Sequence, residues 1–121
     1  MNLRFLSPTV HGLVDYAAAL LLIIGPFILH LGTSNPMAIG ISVVAGVAVI
    51  VVSLATRYRY GVFKVIPFGG HLTLDLLVAT AFMLVPTIFD LRGLDEAFYY
   101  INATVVYLVV AVTASEMNSI G

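Results

Sequence analysis

Four long apolar runs constrain this chain more than any other feature of its sequence. A helix that crosses the hydrocarbon core of a bilayer needs about 20 mostly apolar residues, and 121 residues leave room for four such helices with short connections. Only 9% of the residues are charged, against about 25% in soluble domains, so polar surface is too scarce to cover a water-soluble globule. The sequence therefore predicts an all-α integral membrane protein with four transmembrane helices in a lipid bilayer.

Turn residues and charged loops give the approximate limits of these helices. The predicted spans cover residues 8–31, 36–55, 67–89 and 97–115. Ser7 is predicted to cap the first span, because a serine hydroxyl accepts from free backbone N–H groups at a helix start. Proline removes one donor from a helix, so Pro26 and Pro86 are predicted to kink the first and third spans.

The second half of the chain repeats the first half at an offset of 60 residues. The repeated positions include two histidine–aspartate pairs, His11 with Asp15 and His71 with Asp75. The two prolines within the first and third spans are also equivalent. We predict two tandem helical hairpins, residues 1–60 and 61–121, related by a pseudo-two-fold axis along the membrane normal, since each hairpin has an even number of spans.

Helix geometry places the two pairs inside the membrane. Residues four apart share a helix face, and a helix that starts near Ser7 carries Asp15 about 12 Å inward at 1.5 Å per residue. The two-fold relation predicts that the first and third spans face each other. His11 would then lie near Asp75 and His71 near Asp15, or each pair would bond within its own helix.

Four ionisable side chains in the membrane are costly, since each costs about 2.5–3.5 kcal/mol on insertion scales. One hypothesis is that they bind or translocate protons or another small cation, because histidine titrates near physiological pH. Ser42, Asn102 and Tyr107 would then extend a polar path. The structural alternative is that the four groups form an interhelical clasp that fixes which helices meet.

Two cofactor hypotheses also remain open. The nitrogen and oxygen atoms of His11, Asp15, His71 and Asp75 suit a divalent metal. Alternatively, His11 and His71 would be the axial ligands of a haem. We predict no enzymatic activity, because the sequence contains no phosphate-binding glycine loop, nucleophile elbow or zinc-protease motif.

The positive charges predict the orientation of the chain. Arg4, Arg57, Arg59 and Lys64 lie on one predicted side and only Arg92 on the other. The positive-inside rule places both termini and the middle loop in the cytoplasm, in a cell inner membrane. The net charge of −1 argues against a nucleic-acid partner.

Small residues recur every four positions in the second span, at Ala38, Ser42 and Gly46. Such a stripe lets another helix approach closely. The equivalent positions of the fourth span carry Phe98, Asn102 and Val106. Because the stripe has no small-residue counterpart there, we also consider it as a contact between copies in a homo-oligomer.

The repeat resembles the SPW-repeat family of small bacterial membrane proteins. That family has a Ser-Pro-Trp-like tripeptide late in the first helix of each hairpin, and the matching segments here are Gly25-Pro26-Phe27 and Val85-Pro86-Thr87, which keep the proline. The histidine–aspartate segments that begin at Ser7 and Phe63 are also similar to members of the family. The resemblance covers nearly the whole chain and implies a four-span membrane fold without an established activity.

Overall fold

The computed structural model describes residues 8–56 and 60–120, with the side chains of residues 9–56 and 60–114. These residues form four α-helices and no strand, apart from one isolated bridge between Thr56 and Ile66. The helices are α1 (Pro8–Ile28), α2 (Met37–Leu54), α3 (Phe68–Ile88) and α4 (Gly93–Ile120). Each is long and apolar enough to cross a membrane. The chain is therefore a multi-pass membrane protein with the predicted all-α fold.

The limits of three helices lie close to the predicted ones, and the fourth differs. α1 and α3 each end two residues beyond their proline. α4 begins at Gly93, four residues before the predicted start, because the turn that carries Asp95 and Glu96 is already helical. The predicted cap at Ser7 and the arginines at 4, 57 and 59 lie outside the described residues.

The two hairpins end their first helix in the same way. His30 and Asp90, which are 60 residues apart, have φ angles of 53° and 52°. Histidine and aspartate are among the residues that tolerate this left-handed region best. The next amide then bonds back to the helix: Leu31 N donates to Pro26 O at 2.9 Å, and Leu91 N donates to Pro86 O at 2.8 Å. The ends of α1 and α3 thus have the same backbone conformation at positions 60 residues apart.

The small-residue stripe of α2 packs against α1 inside the first hairpin. Ala38 and Ser42 are fully buried, and Gly46 is buried with them. A Cβ atom on Gly46 would lie 2.8 Å from Ala19 O and 2.7 Å from Ile23 Cγ1, so the two helices touch at this glycine. The stripe is therefore covered by α1 within one chain, and the structure gives no support for its use as a contact between copies.

Ser42 also compensates for the proline in α1. Pro26 has no N–H, so the carbonyl of Leu22, four residues earlier, has no helical donor. The Ser42 hydroxyl donates to Leu22 O at 2.6 Å. Ser42 was predicted to extend a polar path, but its hydrogen bond joins α2 to α1 within one hairpin.

The apolar core lies in the half of the bundle near the α1–α2 and α3–α4 loops. Its buried members are Leu22, Leu31, Ala38, Phe82, Val85, Leu91, Phe98, Tyr99 and Ala103. Tyr99 donates to Ala38 O at 2.6 Å and ties α4 to α2. Large apolar side chains such as Phe27 and Val44 point outward, as expected for helices in lipid.

Candidate functional site

The two repeated pairs meet at the opposite end of the bundle, where α1 and α3 begin. We call these four residues, His11, Asp15, His71 and Asp75, the His/Asp centre. Both histidines are fully buried, Asp15 is 6% exposed, and the Asp75 side chain is 14% exposed. The predicted meeting of the first and third spans is confirmed at this centre.

Each histidine contacts both carboxylates through Nε2. His11 Nε2 lies 3.1 Å from Asp15 Oδ1 and 3.0 Å from Asp75 Oδ2. His71 Nε2 lies 2.9 Å from Asp15 Oδ2 and 3.3 Å from Asp75 Oδ2. The contacts within one helix and those across the hairpins, which were predicted as alternatives, therefore occur together.

The other ring nitrogen of each histidine contacts a threonine hydroxyl. His11 Nδ1 lies 3.0 Å from Thr113 Oγ1 in α4, and His71 Nδ1 lies 2.7 Å from Thr56 Oγ1, just after α2. Both hydroxyls also donate to a backbone carbonyl four residues earlier, at 2.7 Å for Thr113 and 2.6 Å for Thr56. A hydroxyl has one proton, so towards the histidine it accepts, and Nδ1 carries the hydrogen.

This assignment determines the chemistry of the centre. A neutral histidine with its hydrogen on Nδ1 has a lone pair on Nε2. In both histidines that lone pair faces carboxylate oxygens, which are acceptors when ionised. The short Nε2–oxygen distances are attractive only if a proton or a metal ion lies between the two atoms. The geometry therefore requires a proton or a metal ion in these contacts.

The ring of Phe68, in the first turn of α3, packs against both imidazole rings. Its ring stacks on His71 with 6.2 Å between centroids and 19° between planes. It meets His11 edge-on, at 5.3 Å and 88°. These contacts restrict the rotation of both rings and cover them with apolar surface, which strengthens electrostatic interactions in the centre.

Two cavities flank the centre at related positions. One, of about 200 Å³, lies among α1, α3 and α4 and is lined by His11, Asp15, Asp75 and Asn102, with apolar side chains forming the rest of its wall. The other, of about 210 Å³, lies between α2 and α3 and is lined by His71 and Asp75. The centre thus has space beside each of its histidines.

The residues predicted to extend a polar path bond elsewhere. Asn102 lines the cavity among α1, α3 and α4, but its amide donates to Phe98 O in its own helix at 2.7 Å. The Tyr107 hydroxyl lies 2.7 Å from Thr80 Oγ1. With Ser42 bonded to α1, none of the three hydrogen bonds reaches the centre, and the predicted path gains no support from them.

The haem hypothesis also gains no support from the geometry. Asp75 Oδ2 lies 3.0 Å from His11 Nε2 and 3.3 Å from His71 Nε2. A macrocycle between the two axial nitrogens would have to displace this oxygen. One ligand atom from each of the four residues lies within 4.8 Å of the others, a spacing that suits a single ion.

The opposite end of the bundle carries a buried carboxylate of a different kind. Asp95, fully buried in the first turn of α4, accepts from Gly32 N at 2.8 Å, from Ser34 N at 3.0 Å and from Ser34 Oγ at 2.5 Å. These hydrogen bonds join the α1–α2 loop to the second hairpin. These contacts were not predicted from the sequence.

Thr56 and Thr113 were missed as members of the site. One available signal was membrane depth: α4 runs antiparallel to α1, so a hydroxyl near the end of α4 lies at the level of His11. The duplication does not identify Thr56. Ser53 is the residue equivalent to Thr113, so the repeat points to Ser53 as the partner of His71. The Ser53 hydroxyl is buried without a hydrogen-bond partner among the described residues. The Thr56 hydroxyl accepts from His71 instead.

Comparison with protein-family models, with curated proteins and with solved structures found no match to this chain.

Proposed function

We propose that this multi-pass membrane protein binds a small cation, proton or metal ion, in the His/Asp centre. The observation that carries the proposal is the pair of threonine contacts, which directs the Nε2 lone pairs of His11 and His71 at two carboxylates. An ionisable group inside a membrane is expensive unless it is paired. A bound positive charge removes the repulsion between acceptors and repays part of that cost.

The packing favours binding over passage through a single chain. The apolar core of Leu22, Phe82, Phe98 and their neighbours occupies the bundle beyond the cavity among α1, α3 and α4. Charge does not cross such a region without polar groups or water. Translocation would need a rearrangement of this core, whereas binding needs only the centre as it stands.

Magnetic resonance of the metal-free protein in detergent micelles tests the proposal. Nitrogen-15 shifts of the histidine rings and carbon-13 shifts of the aspartate carboxyls record which atoms carry protons. We expect one proton at each Nε2, shared with a carboxylate oxygen that it contacts. Two neutral histidines with bare Nε2 atoms facing two ionised carboxylates, in a protein that also binds no added divalent metal ion, would overturn the proposal.

A matched pair of variants strengthens this test. The double variant Asp15→Asn/Asp75→Asn keeps the shapes of the side chains and removes their charges, so we expect it to lose the bound protons. Asp90→Asn is the control, because Asp90 is exposed and pairs only with Arg92 among its described ion-pair contacts. Its histidine shifts should match those of the parent protein.

An interhelical clasp is the second candidate, and one observation favours it. The contacts of His11 with Asp75 and of His71 with Asp15 cross from one hairpin to the other. If the centre is only a clasp, Asp15→Asn/Asp75→Asn will lower thermal stability while the parent protein shows neither bound cation nor ion flux in liposomes. A double variant that keeps its stability and loses the cation would exclude the clasp.

We also propose membership of the SPW-repeat family, a place in the inner membrane with both termini in the cytoplasm, and a binding rather than enzymatic role. The duplicated hairpin with a proline near the end of each first helix supports the family proposal. The excess of positive residues on one side supports the orientation. Reporter fusions at both termini test the orientation, and a periplasmic signal from either fusion would contradict it.

A further inference from the structure

We propose that the His/Asp centre is a site for one divalent transition-metal ion, held by two imidazole nitrogens and two carboxylates, with Thr56 and Thr113 as positioning residues. This inference rests on the proposed cation-binding function and gives the chemical class of the cation. The four ligand side chains come from only two helices, α1 and α3, and the two positioning hydroxyls come from outside those helices.

The spacing of the ligand atoms is close to that of a tetrahedral site. Bonds of about 2.0–2.2 Å from zinc to nitrogen and oxygen place neighbouring ligand atoms about 3.3–3.6 Å apart. The four nitrogen–oxygen distances in the centre are 2.9, 3.0, 3.1 and 3.3 Å. No pair in the set exceeds 4.8 Å, so the widest pair has to close by up to about 1.5 Å, which is within the reach of side-chain rotation.

The charges also match a divalent ion. Two ionised carboxylates and two neutral histidines have a net charge of −2, which one divalent cation neutralises. The centre lies within spans that expose apolar side chains to their surroundings, where a net charge is costly. A monovalent ion would leave one negative charge uncompensated in the same place.

The threonines supply the outer contacts that metal sites need. A metal-binding histidine usually donates its second ring N–H to an oxygen, which fixes its tautomer and orientation. Thr113 and Thr56 accept from the Nδ1 atoms of the two histidines and leave both Nε2 lone pairs directed at the carboxylates. The histidines are therefore oriented for a metal before one binds.

The ligand types restrict the metal. Calcium takes six to eight oxygen ligands and magnesium keeps several waters, and neither prefers nitrogen. Imidazole suits zinc, copper, iron and nickel. We therefore expect binding of zinc and of cobalt as its spectroscopic substitute, and no comparable binding of magnesium or calcium.

Cobalt binding to the full chain in micelles tests the inference. Co²⁺ is titrated into chelator-treated protein and the visible spectrum is recorded. We expect one Co²⁺ per chain, with the strong visible absorption of a four-coordinate ion, displaced by Zn²⁺ and not by Mg²⁺. Loss of this absorption in Asp15→Asn/Asp75→Asn, with helical content kept, and its retention in His30→Ala, which changes an exposed histidine, would support the site.

The threonine variants separate positioning from packing. Thr113→Val and Thr56→Val keep the side-chain volume and remove the hydroxyl, and we expect each to weaken Co²⁺ binding by about 10–100-fold while the stoichiometry stays at one. Unchanged affinity in both variants would overturn their positioning role. If the parent protein binds no Co²⁺ or Zn²⁺ but magnetic resonance finds protons in the centre, the metal inference fails and the proposed function stands. If it binds neither metal ion and bare Nε2 atoms face ionised carboxylates, both fail.

Discussion

Asp95 at one end of the bundle and Asp15 at the other are both buried carboxylates, but their partners differ. Asp95 accepts from neutral donors, two backbone N–H groups and one hydroxyl. Asp15 faces the Nε2 atoms of two histidines whose protons lie on their other nitrogens. The first arrangement is complete without any further species, whereas we propose that a cation completes the second.

This difference separates structural from chemical use of the same functional group. A carboxylate surrounded by fixed donors stabilises a fold, and its removal should lower the unfolding free energy without changing cation binding. For a carboxylate opposite nitrogen lone pairs we propose a role in cation binding, and its removal should lower the affinity for the cation. Burial or charge considered separately would not distinguish the two, since both carboxylates are buried and both belong to membrane-spanning helices.

The largest effect is expected at the Asp95 end. Asp95→Ala leaves Gly32 N–H and the Ser34 donors without their acceptor in a buried position, so we expect a loss of about 3–5 kcal/mol in unfolding free energy. Denaturant unfolding in micelles measures it. Asp90→Asn, at an exposed position with a φ of 52° that asparagine also tolerates, should cost less than about 0.5 kcal/mol.

Cobalt affinity of the same variant is the decisive companion measurement. If Asp95→Ala folds under mild conditions, its Co²⁺ affinity should stay near that of the parent protein. A large loss of affinity at unchanged helical content would show that the two ends are coupled and that the division into a structural and a chemical carboxylate is wrong.

The next largest effect on stability is expected at the close contact between α1 and α2 in the first hairpin. Gly46→Ala places a Cβ atom 2.8 Å from Ala19 O, so α1 and α2 must separate, at a cost of about 1–3 kcal/mol. Gly40→Ala is the control, because its Cβ would meet nothing within 4 Å, and it should be neutral or slightly stabilising. Equal stability of the two variants in thermal unfolding would contradict the close contact at Gly46.

A smaller effect distinguishes the two equivalent hydroxyls near the His/Asp centre. Thr113→Ala removes the acceptor of His11 Nδ1 and should cost about 1–2 kcal/mol. Ser53→Ala, at the equivalent position of the first hairpin, removes a buried hydroxyl that has no partner among the described residues and should cost less than about 0.5 kcal/mol. A greater loss in Ser53→Ala, measured by chemical unfolding, would refute the assigned partners.

The smallest effect is expected for the predicted polar path. Tyr107→Phe removes a hydrogen bond to Thr80, which in a membrane is worth about 0.6 kcal/mol on average. We expect unchanged Co²⁺ affinity and unchanged histidine shifts. A change in either would mean that Tyr107 communicates with the centre and that the site extends beyond its four ligands and two threonines.

Much of this architecture could be predicted from the sequence because its causes are local. Apolar runs and turn residues specify four helices, and the offset of 60 residues identifies His11, Asp15, His71 and Asp75 as one set. The early start of α4 was missed because charged residues in a first helical turn resemble a loop. The general position of the centre followed from helix rise and periodicity alone.

The partners of these residues could not be predicted, because they depend on how each helix is rotated about its axis. Thr56 contacts His71 Nδ1 because the chain just after α2 places its hydroxyl beside that ring, although the repeat pointed to Ser53. The small-residue stripe was compatible with either α1 or a second copy, and only the packing shows that α1 covers it. Ser42 lies in that stripe, and its use as a donor to Leu22 O required knowing which turn of α1 it faces.

The hydrogen bond between Ser42 and Leu22 also has a consequence for biosynthesis. Pro26 leaves the Leu22 carbonyl without a helical donor, and an unsatisfied backbone group in lipid costs several kcal/mol. α2 supplies the missing donor across the hairpin. While α1 is alone in the bilayer this carbonyl has no partner from α2, so the pair of helices, rather than the single helix, is the unit that enters the membrane in its final form.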